Sequence, residues 1–285
     1  MTSSTEGKTN KKREEFPIRA TDSLELHGGS LGDPSDAEAI VVLVHGLGEH
    51  MKRYRYVAEM MTDQGLCVVG FDQRGHGNSS GERGYIPSVK QLMDDISSVI
   101  ELAQAKNPDL PVFLYGHSLG GLEVLYYSLT KKPELRGVIS TSPSLDITST
   151  PKSKRAVAKA LKPIMPGLTV SNGINIQALS RDTEVVKEYR SDPLVHNKVS
   201  VRLGAYLIEG AQYVLDHSNE WVLPLYLAHG TADAICKIAG TDTFYKTASG
   251  PITYRRWEGL YHETHNEPEK EKVIQSMTDW IKNEL

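Results

Sequence analysis

Cysteine is scarce in this sequence of 285 residues: there are two, Cys67 and Cys236. Two cannot make a disulfide framework, so cysteine usage assigns no redox compartment. Cys67 lies in the apolar run 66–71, where a small buried hydrophobe is the expected role. An excess of charge of one sign is lacking too. With 32 Lys and Arg against 36 Asp and Glu the formal net charge is −4, so no global field draws the chain to nucleic acid or acidic lipid. No window approaches the run of about 20 apolar residues that a membrane span requires. The polar residues 1–15 contain no apolar h-region and are expected to be a disordered tail, not a signal peptide. No internal repeat or low-complexity block is visible. These absences point to a soluble, cytoplasmic protein. Its length allows one large α/β domain with room for an inserted subdomain.

What is present is organised around Ser118. Val112-Phe113-Leu114-Tyr115 is an uninterrupted apolar run and predicts a buried strand. It enters Gly116-His117-Ser118-Leu119-Gly120, a G-x-S-x-G pentapeptide, and leaves through Gly121 to Tyr127 with the apolar spacing of a helix on a sheet. A strand turning sharply into a helix strains its corner residue, and the flanking glycines relieve clashes with neighbouring elements. The corner serine is thereby held outward with its N–H at a helix N-terminus, which suits a nucleophile whose attack creates an oxyanion. The alternative is a merely structural Gly-rich turn.

Taken in order, residues 16–44 predict an opening β-hairpin, with strands at 24–31 and 39–44 around the turn 32–36. The second of these is apolar throughout, as a central parallel strand covered on both faces should be. It runs into His45-Gly46-Leu47-Gly48-Glu49-His50, where bare backbone can approach a ligand closely. Helices are predicted over 54–64, 92–106 and 270–283, and strands over 66–72, 136–143, 223–230 and 252–257, Pro224 fitting only at its strand's start. Asp72 and His76 lie in a surface loop, where polar side chains usually satisfy backbone groups or one another. Between 146 and 205 strand signals disappear and prolines recur. The segment is too long for an ordinary connection and predicts an inserted helical cap. The division expected is core over 16–145, cap over 146–205 and core again over 206–285.

Strand–helix alternation implies a mostly parallel sheet with helices on both faces, and such sheets bind ligands at the carboxyl ends of their strands. Ser118, Asp233, His262 and the 45–49 loop each follow a predicted strand. The order Ser, Asp, His is that of an α/β-hydrolase. His262 would take the proton of Ser118 and deliver it to the leaving group, while Asp233 would fix the tautomer of His262. His265 is the rival base, three residues closer to the final helix. A turn aspartate is the plain alternative for Asp233.

The combination of His45-Gly46-Leu47-Gly48-Glu49-His50, Phe71-Asp72-Gln73-Arg74-Gly75-His76-Gly77, Gly116-His117-Ser118-Leu119-Gly120-Gly121 and Ser191-Asp192-Pro193-Leu194 resembles the monoacylglycerol lipases of the α/β-hydrolase superfamily. The resemblance runs from about residue 40 to the C-terminus, and related esterases and lysophospholipases share the single motifs. It implies oxyanion donors at the backbone amides of Leu47 and Leu119, and contacts to the glycerol end of a substrate from Arg53, His117 and Tyr189. Leu47 stands where some relatives carry a smaller alanine, which bears on pocket shape and not on the reaction. The activity expected is hydrolysis of a single-chain acylglycerol ester through an acyl-enzyme, with no metal or organic cofactor. A broader carboxylesterase or lysophospholipase would use the same triad. A ligand-binding relative without catalysis would not need all three residues.

In the cap, Val157, Leu161 and Ile164 recur at helical spacing, followed by Met165, Pro166 and Leu168, among Lys152, Lys154, Arg155, Lys159 and Lys162. The favoured reading is that this stripe packs down on the acyl pocket with the lysines as its solvated back. Five cations alone attach a protein only weakly to a membrane surface. The other reading is transient contact with a lipid interface.

Overall fold

The computed structural model describes residues 12–146 and 152–285. Among them, eight strands form one sheet in the order β1 (Arg13–Arg19), β2 (Glu25–Leu31), β4 (Leu66–Phe71), β3 (Ala39–Val44), β5 (Val112–His117), β6 (Gly137–Thr141), β9 (Leu225–Gly230) and β10 (Ile252–Trp257). From β4 to β10 neighbours run parallel, while β1, β2 and β4 pair antiparallel. Alternation sets the layers. In β3, Ile40, Val42 and Val44 face one core, and Ala39, Val41 and Leu43 face the other. The first core is closed by α2 (Val89–Lys106), α3 (Leu119–Lys131), α6 (Val201–Asp216) and α7 (Ala239–Thr247). The second is closed by α1 (Arg55–Thr62) and α8 (Lys270–Glu284). Each such side chain contributes about 1.5–3 kcal/mol on burial, more than the net of about 0.5–1.5 kcal/mol from one hydrogen bond. The two cores, more than the strand hydrogen bonds alone, therefore hold the sheet between its helices.

Three expectations are corrected. The hairpin is β1–β2, not 24–31 with 39–44: β2 pairs with β1 and β4, and β3 lies between β4 and β5. A fully apolar β3 needs cover on both faces and a place inside the sheet, which a hairpin at the edge would not supply. Second, Arg13 to Glu15 belong to β1, so the 1–15 tail is too long; residues 1–11 lie outside the described residues. Third, the 146–205 segment is not free of strands. Besides α4 (Lys152–Leu161) and α5 (Thr183–Ser191), it carries an antiparallel ribbon of β7 (Thr169–Ser171) and β8 (Lys198–Ser200). Runs of three residues are too short to leave a periodic signal.

The boundary expected at 205 also falls inside α6. Ser200 caps that helix by accepting the Leu203 N–H at 3.2 Å, and its buried face continues through Leu203, Tyr206, Gly210, Ala211 and Val214. Pro224 directly precedes β9, as its missing N–H demands. Among the described residues no helix is long and apolar enough to cross a membrane.

Candidate active site

β5 ends at His117 and α3 begins at Leu119, which leaves Ser118 alone at the corner with φ 58° and ψ −115°. Such a conformation costs a residue with a Cβ about 1–3 kcal/mol and persists only where the surroundings enforce it. The Ser118 N–H donates to the Thr141 carbonyl at 3.0 Å, and its carbonyl accepts from Leu122 at 3.0 Å and Ser144 at 3.1 Å. The flanking glycines allow the close approach. A Cβ on Gly116 would stand 2.1 Å from the Gly120 oxygen, and one on Gly120 2.2 Å from the Val44 oxygen.

His262 Nε2 lies 2.9 Å from Ser118 Oγ, and His262 Nδ1 lies 2.7 Å from Asp233 Oδ2. The second carboxylate oxygen accepts the amides of Ile235 at 2.8 Å and Cys236 at 2.9 Å. A carboxylate can only accept, so the proton sits on Nδ1 and the bare Nε2 faces the serine hydroxyl. Burial disfavours charge on His262, but the Asp233 charge and hydrogen bond outweigh it, with help from Glu263 and Glu49. The pKa of His262 is held above its ordinary 6.5. Burial would likewise raise Asp233, yet His262 and His229 hold it well below the usual carboxylate range. This geometry can pull a proton from the serine hydroxyl and store it on the imidazole. His265 stands elsewhere. Its ring stacks on Tyr54 with centroids 4.7 Å apart, and burial pushes its pKa down to about 4.

The 45–49 loop lies against the serine, since a Cβ on Gly46 would stand 3.2 Å from Ser118 Cβ. Leu47 belongs to that loop. Leu119 opens α3, where the N–H has no intrahelical acceptor. Glu49 braces the loop: its Oε1 accepts the Gly46 N–H at 2.6 Å and the Tyr54 hydroxyl at 2.7 Å. Asp72 is a structural acceptor, taking the amides of Met51 and Asn78, each within 3 Å. His76 Nδ1 donates to the Arg74 carbonyl at 3.1 Å.

His117 stands against His262, while Arg53 binds the neighbouring Glu263 and lies over the Tyr189 ring. Arg53 Nη1 binds Glu49 Oε2 at 2.5 Å and Glu263 Oε1 at 2.6 Å, Nη2 binds Glu263 Oε2 at 2.8 Å, and the guanidinium lies 4.7 Å from the Tyr189 ring centroid. His117 Nδ1 meets Thr141 Oγ1 at 3.0 Å, and its ring is 4.8 Å from that of His262. Burial first, then neighbouring imidazoles and Arg53, hold the pKa of His117 well below 6.5, so the ring is neutral. The cap meets this cluster directly: His50 Nε2 and Asp192 Oδ2 are 2.8 Å apart, and the His196 N–H donates to the Gly48 carbonyl at 2.9 Å. Sequence reasoning missed Glu263 and the bracing role of Glu49. Glu49 lies within a named motif and Glu263 follows His262, but only folding shows that one arginine sits between them.

Cys236 adjoins the serine as well. Its Sγ is 3.2 Å from Ser144 Oγ, and burial followed by the Asp233 charge pushes its thiol up to about 12. A protonated, buried thiol reacts slowly. A bulky thiol reagent that reaches it should slow hydrolysis by obstruction alone. Cys236→Ala should therefore remain active and lose its sensitivity; unchanged sensitivity would put the responsible thiol elsewhere.

Residues 35–269 match the family described as serine aminopeptidase, S33. The chain belongs to this family of α/β-hydrolases. It is 34% identical over 254 residues to a monoacylglycerol lipase of Mycolicibacterium smegmatis, covering 88% of this chain and 90% of that one. It is 34% identical over 242 residues to the phospholipase YtpA of Bacillus subtilis, covering 84% and 93%. An uncharacterized abhydrolase domain-containing protein of Dictyostelium discoideum is 38% identical over 251 residues, and this chain spans 26% of its length. Among solved structures, the monoacylglycerol lipase of Paleococcus ferrophilus superposes with a TM-score of 0.82 at 34% identity, covering 97% of this chain and all of that one. The eight-stranded sheet with its cap is thus an α/β-hydrolase fold.

Proposed function

We propose that this serine hydrolase cleaves the ester of a single-chain acylglycerol, releasing glycerol and a fatty acid. The hydrogen-bonded chain Ser118–His262–Asp233 at a strained strand–helix corner carries the reading. Ser118 Oγ attacks the ester carbonyl while its proton passes to His262 Nε2. The amides of Leu47 and Leu119 receive the oxyanion. Collapse expels the glycerol oxygen, which takes the proton from His262, and leaves an acyl-serine. Water, activated by the same imidazole, then releases the fatty acid. Arg53, His117 and Tyr189 would contact the glycerol end of the substrate. The lipases of Mycolicibacterium smegmatis and Paleococcus ferrophilus support the substrate class, while the Bacillus subtilis phospholipase, equally identical, favours a phospholipid ester as a second reading, with lysophospholipid as its single-chain case. Initial rates on monoacylglycerols, lysophospholipids, short aryl esters, triacylglycerols and an aminoacyl amide decide between them. Monoacylglycerol should lead, and a faster lysophospholipid or amide would replace the proposal.

The raised pKa of His262 gives a pH dependence. Only the neutral ring accepts the serine proton, so kcat/KM should rise with pH and level off above a midpoint higher than 6.5. Glu263→Gln removes one of the charges that favour the imidazolium and should move the midpoint down. A midpoint below 6.5 in the native enzyme would contradict the assignment of His262 as base.

We also propose that the cap touches lipid surfaces. Against the favoured expectation that the stripe packs down on the pocket, Val157 is 56% exposed, Ile164 75%, Met165 47% and Leu168 40%, while Leu161 and Pro166 are half-buried. Lys162 pairs with Glu209 at 2.5 Å, and the side chains of Lys152 and Lys154 lie outside the described residues. Apolar area, more than cation count, would supply the attachment. Leu161→Asp with Ile164→Asp should weaken binding to anionic vesicles and spare hydrolysis of a soluble short-chain ester. Loss of both activities together, or no vesicle binding by the native protein at low salt, would remove the proposal.

A further inference from the structure

Asp233 meets two imidazoles. His229, near the end of β9, is fully buried; its Nε2 lies 3.1 Å from Asp233 Oδ2 and 2.6 Å from the Cys236 carbonyl oxygen. Both neighbours can only accept, so this nitrogen carries a proton and donates to both. On the other side of the ring, Nδ1 lies 2.8 Å from Oγ1 of Thr241 on α7, itself buried. Asp233 Oδ2 therefore receives one N–H from His262 and a second from His229, while Oδ1 receives two backbone amides. We infer that His229, steadied by Thr241, is a positioning residue that fixes the Asp233 carboxylate and limits how strongly it holds the proton on His262.

The inference rests on the triad reading above. A carboxylate anchored at both oxygens cannot rotate, so His262 keeps its aim at Ser118, and a shift of about 1 Å in such a group can cost roughly 100-fold in rate. A second donor on Oδ2 also draws negative charge away from His262. The imidazolium is then less favoured, and the neutral base is available at lower pH. Other groups facing His262 are Glu263, Glu49, His117 and His265; those facing His229 are Asp233, Cys236 and His117. None of these donates to Oδ2 among the described residues.

The test compares His229→Leu, His229→Gln and His229→Asn, with kcat and KM for a soluble ester followed across pH. Glutamine sets its amide where Nε2 stands and can still donate to Asp233. Asparagine sets its amide where Nδ1 stands and reaches Thr241 only. Leu and Asn should lower kcat by about 10- to 100-fold at unchanged KM and move the acid limb of kcat/KM upward, while Gln should restore both. A Leu variant with native Tm, native kcat and a native acid limb overturns the inference. Where the Leu variant does not fold, the inference falls if Gln and Asn give equal profiles. Failure of the triad reading shows separately, as a covalent fluorophosphonate adduct that persists in Ser118→Ala whatever the His229 variants do.

Discussion

Ser118→Ala is expected to fold as the native protein does, to lose about 10^6-fold in kcat on any ester, and to form no adduct with a fluorophosphonate probe. Deleting one hydroxyl leaves the corner's packing and its backbone hydrogen bonds in place, so stability should hold or rise slightly. The loss is large because removing one member of such a constellation disables the whole; what remains is binding and the oxyanion amides. Stoichiometric labelling of the variant, read by intact mass, would mean that another residue is the nucleophile.

The second large effect is expected at Arg53. Its side chain is 9% exposed and lies between Glu49 and Glu263, at 5% and 2%. Arg53 also holds the Glu263 carboxyl down to about 2, against the burial that would raise it. Arg53→Ala strands two buried carboxylates near each other without a cation, and breaking a buried pair in this way costs about 3–5 kcal/mol. At roughly 2–4 °C per kcal/mol for a domain of this size, Tm should fall by about 10 °C. Adding Glu263→Gln should recover part of the loss. Glu49 loosened from Arg53 also loosens its grip on the Gly46 amide, so activity should fall further than stability alone explains. A Tm within about 1 °C of native would mean that water enters and solvates both carboxylates.

How much of this was legible beforehand follows from which signals are local. The corner at Ser118 could be read because strand, pentapeptide and helix are contiguous, and Asp233 and His262 because each follows a strand in a parallel sheet. The pairing of β1 with β2 was not legible, since hairpin turns and βα connections share the same Gly, Asp and Pro residues. The ribbon β7–β8 was hidden by its length, and α6 because residues 206–222 carry no predicted element that would mark where the cap ends. Glu49, Glu263 and His229 could not be singled out, because a buried charge or imidazole looks like a solvated one until its partner's position is known. The exposure of Ile164 and Val157 is of the same kind: helical spacing identifies a face but not what lies opposite.

The continuity of α6 across the expected boundary bears on how this enzyme can be rebuilt or can diverge. Sixteen residues at 1.5 Å each make a rod of about 24 Å, rooted at one end in the cap ribbon and at the other against α3. The cap is therefore not a detachable module. A chimera spliced at residue 205 would divide a helix in its second turn and ask Tyr206, Gly210, Ala211 and Val214 to settle on α3 without the preceding turn's hydrogen bonds. A splice that spares the helix must carry it whole, and with it the surface on which the helix after Ser118 rests. Roof and foundation of the pocket are inherited together.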